Sequence, residues 1–136
     1  MNPVTVLDGG VGHLLKSRGI QTLCPDLAFD DLFVAGSVAN VKRPELIEQV
    51  HKEYIEAGVD VITTNTFACT KWNLAKVGME GEALEMAIAG ARIAREVASS
   101  ASRPVLVAGT LLGTTQFLSP IVASVRVRPF TNYSSP

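Results

Sequence analysis

The chain has 136 residues, with 12 Lys and Arg against 13 Asp and Glu, a net charge of -1, and 47% hydrophobic residues. That supplies enough apolar material for one packed core and excludes intrinsic disorder of the whole chain; the near-zero charge argues against a dedicated nucleic-acid binder. Two widely separated cysteines, Cys24 and Cys69, exclude a disulfide-rich secreted scaffold, and no apolar run reaches the roughly 20 residues of a membrane span.

In chain order, Val4 to Leu7 is a short apolar, β-branched run that predicts a buried strand, stopped by Asp8-Gly9-Gly10. The N-terminus lacks a basic stretch and reaches Asp8 early, so no signal peptide is expected and the expected location is cytoplasmic. Val11 to Arg18 predicts a short helix with Gly19 as its C-terminal stop. Cys24-Pro25-Asp26 reads as a turn and Asp31 to Val38 as a short helix. Pro44 to Ala57 is the clearest helix. Pro44 suits its first position, Glu45 and Glu48 the positive end of its dipole, and Leu46, Ile47, Val50, Tyr54 and Ala57 share one face. That pattern puts His51 on the polar side.

Gly58 ends this helix, and Val59 to Thr64 predicts a second strand. Met79 to Ser99 predicts a long helix whose packing stripe is Leu84, Ala87, Ile88, Ala91, Ala94 and Ala98. Pro104 to Ala108 predicts a third strand, apolar as expected where both faces are covered. Short strands separated by helical crossovers imply parallel pairing, so the expected class is α/β. Residues 111–136 hold no clear period, contain three prolines and no acid, and read as an irregular tail after a domain of residues 1–110.

In parallel α/β folds, sites form where the loops after the strands converge. The candidates are Asp8, Gly9 and Gly10 after the first strand and Asn65 after the second. Asp8 offers a carboxylate to an amine, and Asn65 offers a donor and an acceptor. The two glycines allow a ligand to approach the backbone closely, or simply make a tight turn. Asp8 equally suits a turn bonded to its own backbone, and Asn65 the cap of a following helix. His13 and His51 read as surface or partly buried histidines, and Cys69 as a small packed thiol. Trp72 reads as core or loop packing, and Lys71 and Lys76 as solvated charges. The dinucleotide fingerprint fails, because Leu15 stands where its third glycine belongs and Asp8 would repel a pyrophosphate.

Leu7-Asp8-Gly9-Gly10-Val11-Gly12, Arg43-Pro44-Glu45-Leu46-Ile47 and the stretch from Val50 through Ala57-Gly58-Val59-Asp60-Val61-Ile62-Thr63-Thr64-Asn65-Thr66-Phe67 together resemble the homocysteine S-methyltransferase family. Val107-Ala108-Gly109-Thr110 is similar to its third-strand segment. The resemblance implies the N-terminal part, about three β/α units, of a (β/α)8 barrel of TIM type. It implies transfer of a methyl group from a methyl donor to the homocysteine thiol, giving methionine. Asp8, Gly9, Gly10 and Asn65 then fall at the homocysteine-binding mouth. The resemblance also implies zinc holding the thiol as thiolate, bound by a late Gly-Gly-Cys-Cys type motif that this chain lacks. Neither Cys24 nor Cys69 matches those positions, so no metal ligand is assigned. The alternative reading is a non-catalytic fragment or interaction piece. Homocysteine and a methyl donor are the expected partners, with no nucleic acid and no membrane. Three strands cannot close a barrel, so self-association through open sheet edges is expected.

Overall fold

The computed structural model describes residues 4–110; the 111–136 tail read from the sequence lies outside them. Six α-helices and two short strands follow in the order α1 (Val11–Ser17), α2 (Ile20–Leu23), α3 (Leu32–Lys42), α4 (Pro44–Glu56), β1 (Val61–Thr63), α5 (Lys71–Leu74), α6 (Ala83–Ser100) and β2 (Leu106–Ala108). The chain is α/β, and β1 and β2 run parallel with Val61, Ile62 and Thr63 opposite Leu106, Val107 and Ala108.

The first expected strand joins this sheet by one parallel bridge, Leu7 to Val61. Asp60 N donates to Val6 O at 2.8 Å and Asp8 N to Val61 O at 3.0 Å. The segment is paired but not buried, since Val4, Val6 and Leu7 are all exposed. The third strand departs from expectation in the same way. Leu106 is 66% and Val107 39% exposed, because the described residues cover only one face of the sheet.

Local chemistry explains the helix ends. Gly19 and Gly58 take the left-handed backbone (φ 68° and 99°) that stops α1 and α4 where the sequence places their stops. Asp31 caps α3, its Oδ1 accepting from Phe33 N at 2.8 Å. α3 runs on to Lys42, past the expected Val38, and seven consecutive residues from Val34 to Asn40 are buried. Such a helix lies at the centre of the packing, with α1, α4 and α6 around it.

The main core joins Val11 and Leu15 of α1, Val34 and Val38 of α3, Ile47 and Val50 of α4, and Met86, Ile93 and Val97 of α6. A smaller cluster of Val59, Ile62 and Ala94 seals α6 onto the sheet. The expected α6 stripe is corrected: Ala94 is buried, but Leu84, Ile88 and Ala91 are exposed, and Ala83, Met86, Gly90, Ile93 and Val97 form the buried face. The helix is apolar on two sides and packs with the side carrying Met86 and Gly90. It also begins at Ala83, after a 3-10 turn over Glu80–Glu82, rather than at Met79. Ala57, placed by its spacing on the packed face of α4, is exposed where that helix ends.

Two further expectations change. Trp72 is 68% exposed, which removes the core half of its core-or-loop reading. Lys76 is more than a solvated charge: its Nζ lies 2.7 Å from Asp31 Oδ2, 2.9 Å from Asn73 Oδ1 and 4.7 Å from the centre of the Trp72 ring. No helix among the described residues is long and apolar enough to cross a membrane.

Candidate functional site

The C-terminal ends of the strands bring together Asp8 and the segment Thr63 to Thr66, with Thr110 beyond β2. Asp8 leaves the first strand half-buried, and both its carboxylate oxygens reach β1: Oδ2 accepts from Thr63 N at 2.8 Å and Oδ1 from Thr63 Oγ1 at 2.9 Å. The turn reading of Asp8, bonded to its own backbone, is therefore replaced by a bond across strands. A carboxylate has about four acceptor positions, so two remain for a ligand.

The adjacent glycines differ in what requires them. A Cβ on Gly9 would lie 2.7 Å from Tyr54 Oη, so a larger residue there would require the end of the Tyr54 side chain to move aside. Gly10 is the N-cap of α1 in extended backbone, and a Cβ there would make an ordinary contact with His13.

Asn65 lies two residues beyond Thr63 and caps no helix; the cap of α5 is Thr70. Its Nδ2 donates to Gly36 O at 2.8 Å and to Asn40 Oδ1 at 2.9 Å, which ties the end of β1 to α3. Thr64, Thr66 and Thr110 interlock beside it. Thr110 N donates to Thr64 Oγ1 at 3.1 Å, Thr110 Oγ1 to Thr64 O at 2.8 Å, and Thr66 Oγ1 to Thr110 O at 2.9 Å. Sequence reasoning named the strand ends but singled out neither these hydroxyls nor Asn40. The available signals were the recurrence of threonine at both strand ends and one amide inside the apolar run Val34 to Val41.

His51 overturns its expected place. It is fully buried, on the same face of α4 as Ile47 and Val50, and neither ring nitrogen has a hydrogen-bond partner among the described residues. Burial pushes its pKa below the ordinary histidine value, and the charge of Asp8 pulls the other way with smaller effect. His13 is exposed, as expected for a surface histidine.

A zinc site does not fit these residues. Among the described residues, no three His, Cys, Asp or Glu side chains gather closely enough to hold a metal. Cys69 packs against Asn40, with Sγ to Nδ2 at 3.5 Å, and burial raises its pKa, which disfavours the thiolate a metal would bind.

The arrangement can offer acceptors to a cationic or hydroxylic ligand from one end of a parallel sheet. The family model described as Homocysteine S-methyltransferase matches residues 5–134, and the chain belongs to that family. Among curated proteins it is 35% identical to methionine synthase of Mycobacterium tuberculosis over 104 residues and 33% identical to that of Mycobacterium leprae. These matches cover 74% of this chain but 8% of either relative. Its fold resembles the crystal structure of the homocysteine methyltransferase MmuM from Escherichia coli in the metallated form. There the TM-score is 0.65 at 24% identity, covering 83% of this chain and 39% of MmuM. The oxidized form matches with a TM-score of 0.63 at 26% identity, covering 80% of this chain and 37% of MmuM.

Proposed function

We propose that the chain is the N-terminal portion, about three β/α units, of a (β/α)8 barrel that methylates the homocysteine thiol to give methionine. Residues 1–110 supply the barrel portion and 111–136 the tail, in a cytoplasmic protein. The observation that carries the reading is the Asp8 carboxylate, anchored by Thr63 at the strand ends with acceptor positions to spare. An ammonium group is the complement of such a carboxylate, and homocysteine carries one. In this reading Asp8 holds the amino group, Gly9 and Gly10 let the amino acid lie against the backbone, and Asn65 Oδ1 adds an acceptor. The methyl donor, whether S-methylmethionine, betaine or a methylfolate, binds elsewhere in the barrel.

In this family, zinc would make the thiol a better nucleophile by holding it as thiolate. This chain's cysteines do not fit that task, so no step here is assigned to zinc. A second reading follows: the chain binds homocysteine without turning it over. It is favoured by Cys69, which packs against Asn40 and whose thiol pKa burial raises. Zinc measured after metal-free purification and reloading is expected to be well below one per chain; tight stoichiometric zinc would exclude this second reading.

The test of the site is Asp8→Asn, with homocysteine binding followed by calorimetry. A charge-assisted hydrogen bond contributes about 1.5–3 kcal/mol, so affinity should fall by about tenfold or more. Unchanged affinity removes Asp8 from the site.

A further inference from the structure

We infer, resting on the proposed place of Asn65 in the homocysteine-binding mouth, that Asn40 is the positioning residue of that mouth, seated in a gap that Gly90 leaves in α6. Asn40 is 2% exposed. Its Nδ2 donates to Asn65 O at 2.8 Å and to Met86 O at 3.0 Å, and its Oδ1 accepts from Asn65 Nδ2 at 2.9 Å. The second hydrogen of Asn65 Nδ2 goes to Gly36 O at 2.8 Å. Each amide nitrogen thus spends both hydrogens inside the protein. Turning either amide over would set oxygen against carbonyl oxygen, so the orientation of the pair is fixed.

Three elements meet at this clasp: α3 brings Asn40 and Gly36, α6 brings the Met86 carbonyl, and the segment after β1 brings Asn65. Gly90 makes the meeting possible. A Cβ there would lie 2.6 Å from Asn40 Nδ2 and 3.0 Å from Asn65 O, both too close to keep the bonds. The chemical consequence falls on Asn65. With its donors engaged, only Oδ1 is left to face a ligand, so the side chain acts as an acceptor. Asp8 is also an acceptor. The two together select a donor such as an ammonium group and disfavour a carboxylate.

Amide exchange by NMR on the whole 136-residue chain tests this with Asn40→Ala, Asn40→Asp and Gly90→Ala. The readouts are the backbone amides of Thr66, Cys69 and Thr70, the Asn65 side-chain amide, and Ile93 and Val97 as reporters of global stability. In each variant the three loop amides should exchange about tenfold faster and the Asn65 side-chain pair should lose its protection, with Ile93 and Val97 changing less than about threefold. Unchanged loop exchange, or equal acceleration in loop and α6, overturns the proposal. Asn40→Asp keeps the shape and removes the donors, so loop protection retained in this variant also overturns it. If Gly90→Ala does not fold, Asn40→Asp decides the matter. Homocysteine titrated into the wild-type chain is a separate reading. A lack of binding there sinks the proposed function, while the exchange data still decide the clasp.

Discussion

His51 shows how a single residue can set the pH response of the fold. It lies buried, its ring nitrogens unpartnered among the described residues, on a face shared with Ile47 and Val50. The buried residues that α1, α3 and α6 present to α4 include no titratable side chain, and Asp8 is the charged group acting on the ring. With the folded pKa lowered beneath 6.5, the unfolded chain takes up a proton first as pH falls. The neutral ring therefore favours folding fully above that value, and stability is lost as pH drops through 6.5 toward the folded pKa. Urea midpoints at pH 7.5 and pH 5 should show the loss in the wild type and a flatter response in His51→Leu; parallel responses would contradict it. The sequence hid this residue because its polar identity outweighed its spacing, four positions after Ile47. Asn40 was hidden for the opposite reason: a lone amide in a helix gives no hint of partners far along the chain. Asp8, Gly9 and Gly10 were legible because a carboxylate and two glycines directly after a strand form a local pattern.

Among the elements, α3 depends most on its first turn. Asp31 accepts from Phe33 N and also pairs with Lys76, whose hydrogen bond holds the Asp31 carboxyl below the usual carboxylate range. Asp31→Ala removes cap and ion pair together and should cost about 1 kcal/mol, while Lys76→Ala removes an exposed pair and should cost about half of that or less. Chemical denaturation of the two variants gives the ranking; a larger loss in Lys76→Ala would reverse this account. The start of α4 and the stops of α1 and α4 were readable because proline and glycine act through their own backbone. The packed face of α6 was not, because Leu84 and Ile88 mark one apolar side and Met86, Ile93 and Val97 another. Sequence periodicity reports that two such sides exist; the partner elements decide which is buried.

At the scale of the molecule, these surfaces govern solution behaviour. Leu84, Ile88, Leu106 and Val107 are exposed, and β2 has one strand neighbour among the described residues. Short apolar strands with open edges pair with other chains. The isolated chain should therefore form oligomers at micromolar concentration in size-exclusion chromatography, and Ile88→Glu with Leu106→Lys should shift it toward monomer. A sharp wild-type monomer peak with slow exchange in both strands would refute this.

The sheet has one more consequence, for the order of folding. Its tethers join residues far apart in sequence: 54 positions separate Val6 from Asp60, 55 separate Asp8 from Thr63, and 44 separate Thr66 from Thr110. Parallel pairing admits no short hairpin, so each tether closes a long loop whose entropy must be spent before the contact forms. Each helix can form on contacts within itself, whereas the strand ends, like the packing of α3 and α4 on α6, bring together distant parts of the chain. The mouth that carries Asp8 and Asn65 is thus expected to form after the individual helices during refolding, and pulsed amide exchange that protects Asp8 and Thr63 before α4 and α6 would contradict it. During synthesis, its first residue waits for a strand made much later.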